Sequence, residues 1–312
     1  MRILVTGATG FIGSHLSSSL DSLGHDIITI ERDTVKNAFG SIYITAGVKG
    51  DLVNLETVER AISDYEVSCV IHLAAQTDVR IAYKDPLSTF ESNIKGTWNV
   101  LEACRRQNVG RVIVASSDKS YGWTPPPYKE SDPVRASGVY ETSKTCADLL
   151  AQSYAKTYGM SIAITRCGNF YGPGRLNWET LIPGTIKSII EGKKPVLRSD
   201  GKFRRDFLHV EDGVSAYTAL VNSKLDGPFN FGWAKPIEVI EVVNIICKEM
   251  KWTGGIDIIP TAKNEIVDQY LDITRAKEEL KWAPKIEFED GIRSTINWYK
   301  RFLVHTGAVQ CS

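Results

Sequence analysis

Short apolar runs alternate along this chain with segments of helical periodicity. The runs cover residues 3–6, 26–30, 42–45, 69–76, 112–116 and 162–166. Short apolar runs separated by helices are typical of strands buried on both faces of a parallel sheet, because each parallel connection needs a crossover. The pattern predicts an α/β fold with a doubly wound parallel sheet. Ligands of such sheets bind beyond the carboxyl ends of the strands.

The first predicted strand runs into a glycine-rich turn, TGATGFIGSHL, that opens an amphipathic helix. Gly7, Gly10 and Gly13 would let the backbone approach a diphosphate, and the N–H groups at the helix start favour an anion. Phe11 and Ile12 belong to the same predicted cofactor site. An ordinary glycine turn is the alternative, but the strand before it, the helix after it and a second strand ending in an acid favour dinucleotide binding.

The acid at the end of that second strand is Glu31, which is placed to accept hydrogen bonds from adenosine ribose hydroxyls. A carboxylate would repel the additional phosphate of NADP, so the predicted cofactor is NAD. Arg32 follows directly and could instead bind that phosphate. Asp51 and Leu52 precede a helix predicted to begin near Asn54, and Asp51 either caps this helix or contacts the adenine edge.

The strand predicted over 69–76 runs into small residues. Ala74 and Ala75 would let a dinucleotide pass close to the backbone, and Leu73 belongs to the same predicted cofactor site. We interpret His72 as a packed strand residue rather than a catalyst.

Reactive side chains concentrate where the strand over 112–116 ends and a later helix begins. Tyr140 and Lys144 are four residues apart, which places them on one helical face. An ammonium beside a phenol favours the phenolate, so we expect Lys144 to lower the pKa of Tyr140 and prepare it to take a proton from a substrate hydroxyl. Ser117 ends the strand and could share the same substrate oxygen.

Composition excludes several classes of protein. The 312 residues carry a formal net charge of zero, so no basic excess exists to bind nucleic acid. No apolar run approaches the length that spans a bilayer, and the N-terminal strand leaves no room for a signal peptide. The six cysteines form no CxxC pair and are expected to be reduced core residues, with no metal site. These features predict a cytoplasmic protein without a membrane partner.

Together these motifs resemble the extended short-chain dehydrogenase/reductases, in particular the nucleotide-sugar epimerases and dehydratases. The resemblance also includes HLAA, NIKGTWNVLEA, RDFLHVED and the terminal LKWAPKIEFEDGIRSTINWY. It implies a Rossmann NAD-binding domain over 1–168, with a returning segment at about 207–234, and a smaller α/β substrate domain over 169–312. It further implies a tightly held nicotinamide dinucleotide and a homodimer formed through the helices that hold Asn93 and Tyr140.

The same resemblance assigns substrate contacts. Asn169 and Arg205 would contact the diphosphate of a nucleotide sugar. Arg80 lies in HLAAQTDVRIAYKDP, a stretch similar to that of CDP-glucose 4,6-dehydratases. From the residues alone, an arginine of KFRRDFLHVED could clamp a diphosphate, or its mixed charges could form a surface salt-bridge cluster.

Asp118 and Lys119 occupy the place where 4,6-dehydratases of this family commonly have Asp-Glu and epimerases have small or apolar residues. The Asp-Lys pair is similar to that of CDP-glucose 4,6-dehydratase. The resemblance implies that Tyr140, Lys144 and Ser117 act at the sugar 4-hydroxyl, that Asp118 is the acid at the 6-hydroxyl, and that Lys119 either removes the proton at carbon 5 or only pairs with Asp118. A 4-epimerase and a non-catalytic NAD-binding protein are the alternatives.

Overall fold

A parallel β-sheet with helices on both faces dominates this computed structural model, which describes residues 1–32, 44–260 and 266–305. In those residues the strands are β1 Arg2–Thr6, β2 Asp26–Glu31, β3 Ala46–Lys49, β4 Cys69–His72, β5 Arg111–Ala115, β6 Ile162–Cys167, β7 Asn169–Tyr171, β8 Val196–Leu197, β9 Arg204–Arg205, β10 Phe207–His209, β11 Gly227–Phe231, β12 Ile237–Glu238, β13 Asp257–Ile258 and β14 Asp268–Gln269.

The helices of the same residues are α1 Phe11–Ser22, α2 Leu55–Ser63, α3 Val79–Lys84, α4 Pro86–Phe90, α5 Gly96–Arg106, α6 Val139–Tyr158, α7 Leu181–Ile190, α8 Val210–Val221, α9 Val239–Glu249, α10 Thr274–Glu279 and α11 Phe288–His305. A π-helical turn, Glu91–Lys95, joins α4 to α5, and a short 3₁₀ helix, Asp118–Tyr121, follows β5.

The main sheet of the described residues has seven strands in the order β11-β6-β5-β4-β1-β2-β3, and each neighbouring pair is parallel. This order confirms the predicted doubly wound α/β fold. The carboxyl ends of β1, β4, β5 and β6 therefore lie at one edge of the sheet.

Consecutive residues of the central strands enter cores on opposite faces. Ile3 and Val5 pack into the cluster beneath α1 and α8, whereas Leu4 packs into the cluster beneath α2 and α5. All three side chains are fully buried. Two buried faces explain why these strands read as continuous apolar runs.

A third cluster lies among the helices of the C-terminal half. It joins Ile186 of α7, Ile246 of α9 and Phe288 of α11 to Phe207 of β10. Strand β11 returns to the main sheet beside β6. The domain boundaries given above stay a prediction.

Three predicted elements differ in their bounds. Residues 42–43 of one predicted strand lie outside the described residues, and the strand found near it is β3. The strand predicted over 69–76 ends at His72, because the Ala74 N–H leaves the ladder and donates to Thr6 Oγ1. The helix we expect to be continuous over 87–107 contains the π-helical turn around Asn93.

The described cysteines are free and support the prediction of reduced thiols; Cys311 lies outside the described residues. Across residues 1–32, 44–260 and 266–305, no helix has both the length and the apolar content needed to cross a membrane.

Candidate active site

The glycine-rich turn lies in close contact with the end of β4. Gly7 has φ +73°, and a Cβ on it would lie 2.9 Å from the Ala74 nitrogen. A Cβ on Gly13 would lie 2.0 Å from the Gly7 carbonyl oxygen. Side chains at these positions would strain or displace the turn, so glycine allows α1 to start directly against β1 and β4. Leu73 and Ala75 flank Ala74 and are half-buried.

The first turn of α1 is suited to an anion. Gly10 is the N-cap residue and supplies no side-chain hydrogen bond to the N–H groups at the start of the helix. Phe11 and Ile12 begin the helix and are half-buried. Uncapped N–H groups and the positive end of the helix dipole favour a phosphate there. The turn therefore fits the dinucleotide that the sequence predicts.

Glu31 ends β2 beside Gly47 of β3. A Cβ on Gly47 would lie 3.7 Å from the Glu31 carboxyl carbon, so glycine keeps the space beside this half-buried carboxylate open. The ribose contact predicted for Glu31 stays a prediction.

Asp51 does not cap the following helix. Asn54 is the N-cap of α2, and its Oδ1 accepts the Thr57 N–H at 3.3 Å. Asp51 Oδ1 accepts the Val53 N–H at 3.1 Å instead. The capping alternative was wrong because Asn54 is one residue before the helix. The adenine contact of Asp51 and Leu52 stays a prediction.

His72 and Asn93 connect the strand ends to neighbouring helices. The His72 ring hydrogen-bonds to Thr6 Oγ1 at 2.8 Å and Thr97 Oγ1 at 3.0 Å, and burial lowers its pKa to about 3. It is the packed residue that we predicted. Asn93 Nδ2 donates to the carbonyl of Gln76 at 2.9 Å, which joins the π-helical turn to the loop after β4.

Tyr140 and Lys144 are both buried on α6, on the face toward the ends of β5 and β6. Lys144 Nζ donates to the Ala115 carbonyl, the last residue of β5. Burial lowers the pKa of Lys144 to about 8. The helix thus presents the phenol and the amine at the strand edge where the sequence expects them.

The pKa of Tyr140 is raised, which corrects the expectation that Lys144 lowers it. Burial disfavours the phenolate, and Asp118 adds to that effect when its carboxyl is ionised. The Ser117 hydroxyl and the positive charge of Arg175 act in the opposite direction but are weaker.

Ser117, Asp118 and Lys119 form the start of the 3₁₀ helix after β5. Ser117 Oγ accepts the Lys119 N–H and donates to Asp118 Oδ1, each at 3.2 Å. Asp118 Oδ2 is buried and has no hydrogen-bond partner in the described chain. Burial raises the pKa of the Asp118 carboxyl. These features favour a protonated acid with an oxygen available to another group.

Lys119 does not form an ion pair with Asp118. Both residues are described, and neither has an ion pair within 4 Å among the described residues. Lys119 acts on the Asp118 carboxyl only as a more distant positive charge that opposes the rise of its pKa. The pairing alternative is therefore wrong for this structure, and the catalytic role of Lys119 stays a prediction.

A cavity of about 240 Å³ lies beside this edge, between β7, β9 and α7. Asn169, Arg205, Arg175 and Thr180 supply its polar lining, and apolar residues such as Phe207 line the rest. Arg205 also acts electrostatically on Asp118. The structure thus brings Asn169 and Arg205 to one cavity, near the candidate acid.

The two arginines of the RRDFLHVED stretch have different surroundings, and each fits one of the two alternatives, a salt-bridge cluster or a diphosphate clamp. Arg204 forms a half-exposed ion pair with Asp268, at 2.5 Å, as a salt-bridge cluster would. Arg205 lines the cavity, where an arginine could bind phosphate oxygens. Neighbouring residues alternate sides on a strand, which explains the difference.

Arg80 lies apart from that cavity lining. It is exposed and forms ion pairs with Asp78 at 2.8 Å and with Glu179 at 2.6 Å. Glu179 lies in the loop that follows β7, so Arg80 joins two segments near the site. Its predicted contact with substrate stays a prediction.

Arg175 is a cavity residue that the sequence reasoning missed. It belongs to the YGPGR loop after β7, and its Nη1 donates to the Phe170 carbonyl at 2.7 Å. Its guanidinium carbon lies 5.7 Å from the centre of the Phe11 ring. A glycine- and proline-rich loop after a strand was the available signal.

Known proteins share this fold and much of this sequence. Residues 3–232 match the family described as the NAD dependent epimerase/dehydratase family. The dTDP-glucose 4,6-dehydratase of Mycolicibacterium smegmatis is 32% identical, over 96% of this chain and 93% of the relative.

Two solved structures are similar over nearly their whole length. The UDP-glucose 4-epimerase of Thermotoga maritima, with UDP-glucose, has a TM-score of 0.92 and 26% identity, covering 97% of this chain and 100% of that one. The dTDP-glucose 4,6-dehydratase of Streptomyces venezuelae, with NAD and TYD bound, has a TM-score of 0.90 and 27% identity, covering 99% of each chain. The similar proteins thus include dehydratases and epimerases.

Proposed function

Because this chain belongs to the NAD-dependent epimerase/dehydratase family, we propose that it is a nucleotide-sugar 4,6-dehydratase acting on CDP-glucose or a related NDP-hexose. The product would be a 4-keto-6-deoxy sugar nucleotide. The observation that carries this proposal is the buried Asp118 carboxyl, with its raised pKa and its unpartnered oxygen. Dehydration needs a proton for the departing hydroxyl, and burial favours the protonated form of the Asp118 carboxyl that could supply it.

In this proposal, different residues at the strand edge carry out different steps of the reaction. Tyr140 takes the proton from the sugar 4-hydroxyl as its phenolate; burial raises its pKa in the unliganded protein, so a cation brought by the bound ligands must favour that form. Bound NAD supplies the hydride acceptor and donor of the reaction. Lys119 removes the proton from carbon 5, which the 4-ketone acidifies, and Asp118 protonates the 6-hydroxyl as water leaves. No net oxidation occurs, so the cofactor need not exchange.

Two groups hold the reactants in place. The glycine turn and the first turn of α1 hold the dinucleotide, with Gly7 and Gly13 allowing its close approach. Asn169 and Arg205 hold the sugar nucleotide in the cavity. Lys144 fixes the end of β5 through the Ala115 carbonyl and places a cation one helical turn from Tyr140.

A 4-epimerase is the second candidate, because the fold is as similar to the Thermotoga maritima epimerase, with a TM-score of 0.92, as to the Streptomyces venezuelae dehydratase, with 0.90. Incubation with NAD in deuterated water, using the CDP, dTDP and UDP derivatives of glucose in parallel, separates the two. A dehydratase gives a product lighter by one water that carries deuterium at carbon 5. An unlabelled stereoisomer of the substrate would instead identify an epimerase, and no conversion of any sugar nucleotide would contradict both.

A further inference from the structure

Arg175 lies where the cofactor turn meets the cavity. Its guanidinium contacts the face of Phe11, the first residue of α1, and it lines the same cavity as Asn169 and Arg205. Its backbone carbonyl accepts a hydrogen bond from the Tyr299 hydroxyl of α11. The loop and its side chain are therefore held between the N-terminal turn and the C-terminal helix.

The charge of Arg175 has no counter-ion in the described part of the chain. No carboxylate of residues 1–32, 44–260 or 266–305 lies within 4 Å of it, and only its Nη1 makes a hydrogen bond, to the Phe170 carbonyl. Burial lowers the pKa of its guanidinium, which shows that the cation is poorly solvated. A half-buried cation of this kind is costly unless an anion pairs with it.

Two other arginines near the site have counter-ions: Arg80 and Arg204 each form ion pairs with carboxylates. Arg175 keeps its remaining N–H groups available beside a cavity, close to the helix start that favours phosphate. Planar guanidinium donors match pairs of phosphate oxygens.

We propose that Arg175 binds a diphosphate at the junction of the glycine turn and the cavity, supplied by the dinucleotide cofactor or by the nucleotide sugar. The second source rests on the proposed function. Arg175 would then couple the two ligands, because its loop is fixed to α1 on one side and to α11 on the other.

Binding measured by calorimetry tests this without any turnover. NAD, the nucleoside diphosphates UDP, dTDP and CDP, and the phosphate-free nucleosides are titrated into the parent protein, R175M, R175K and R293M. Arg293 is the control, since it is an exposed arginine of α11 that pairs with Asp290 and Glu249. We expect R175M to weaken one diphosphate class by roughly tenfold to a hundredfold, with R175K intermediate and R293M unchanged.

The class of ligand affected identifies the source. Weaker NAD binding assigns the cofactor, and weaker nucleoside diphosphate binding assigns the sugar nucleotide. Unchanged affinity in both classes, or an equal loss in R293M, overturns the proposal. A melting temperature of R175M at or above that of the parent excludes a purely structural effect, because removing an unpaired buried charge should not destabilise the fold. A parent that binds NAD but no nucleoside diphosphate contradicts the proposed substrate class, and the NAD titration still decides the role of Arg175.

Discussion

Asp118 and Lys144 are buried ionisable groups at the same strand edge, and burial acts on both in favour of the neutral form. Burial raises the pKa of the Asp118 carboxyl and lowers that of the Lys144 ammonium to about 8. The protonated form that burial favours for Asp118 can donate a proton, and a lysine whose pKa is about 8 can change charge when a ligand binds. Perturbed groups of this kind cluster at functional sites.

Asp118→Asn should separate the steps of the proposed reaction. Asparagine keeps the size of the side chain but cannot donate the proton that the leaving hydroxyl needs. We expect the rate of dehydration to fall roughly 10²-fold to 10⁴-fold, while recovered substrate still gains deuterium at carbon 5. Mass spectrometry of substrate and product measures both. Tyr140→Phe is the matched variant, in which exchange and dehydration should both stop; undiminished dehydration in Asp118→Asn would exclude Asp118 as the acid.

Lys144 should make stability depend on pH in the protein measured without added cofactor. Its ordinary pKa is 10.5 and its folded pKa is about 8, so between these values the unfolded chain binds a proton that the folded protein has released. Stability therefore rises with pH across this interval and is reduced below it. Lys144→Met should remove the slope. At pH 7 it relieves a charge-burial cost on the order of 3 kcal/mol, and the loss of the bond to the Ala115 carbonyl offsets about 1–3 kcal/mol of that gain.

Urea denaturation at a series of pH values measures this effect. Lys235→Met is the control, because Lys235 is exposed in a surface ion pair with Glu287. An unchanged slope in Lys144→Met would show that the amine is better solvated than the structure indicates.

Among the elements, the β1-turn-α1 unit packs closely against the end of β4. Its glycines bring the turn against the end of β4 without any intervening side chain. The same closeness leaves the first N–H groups of α1 exposed to a ligand rather than to a capping side chain. The predicted cofactor contact of this unit therefore depends on backbone geometry and not on a reactive group.

Gly13→Ala should therefore damage cofactor binding. The new Cβ would lie 2.0 Å from the Gly7 carbonyl oxygen, so the helix must move away from the turn. We expect NAD affinity to fall by at least tenfold, which corresponds to about 1.4 kcal/mol, and calorimetry measures it. Gly110→Ala is the control, since its Cβ would make only an ordinary 3.6 Å contact with the Ser68 carbonyl. Equal NAD affinity in the two variants would contradict the assigned role of the turn.

In the molecule as a whole, Asp206 joins three distant segments, two through its side-chain carboxylate and one through its backbone carbonyl. It accepts backbone N–H groups from Trp233 after β11, at 2.7 Å, and from Leu271 after β14, at 3.3 Å. The Asp206 carbonyl accepts the Asn169 N–H at 2.8 Å. This fully buried residue sets the position of the cavity wall relative to the main sheet.

Asp206→Ala should destabilise the protein, because the backbone N–H groups that its carboxylate accepts would lose their acceptor. Buried N–H donors that lose their acceptor cost about 1–3 kcal/mol each, so we expect a loss of roughly 2–5 kcal/mol in the free energy of unfolding. Urea denaturation measures it, with Glu287→Ala as the control, because surface ion pairs contribute about 0–1 kcal/mol. A change no larger than that of the control would contradict the role of Asp206.

Local patterns were sufficient for the sheet and for the position of the site. Apolar runs on both faces of a strand, separated by helical segments, allow few arrangements other than a doubly wound parallel sheet. Because its strands end at one edge, Gly7, Ser117 and the start of α6 had to lie near one another. Residue spacing also fixed Tyr140 and Lys144 on one helical face.

The pKa shifts and the surroundings of individual side chains depend on burial and on contacts between distant segments. The sequence indicates that Tyr140 and Lys144 are neighbours, but the sign of the Tyr140 pKa shift depends on how much water surrounds the phenol and on the charge of Asp118. Adjacent arginines 204 and 205 look alike in the chain and face different surroundings once β9 forms. Arg175 gained its place only when its loop packed between α1 and α11. Desolvation and long-range packing depend on residues that are far apart in sequence, so no local pattern records them.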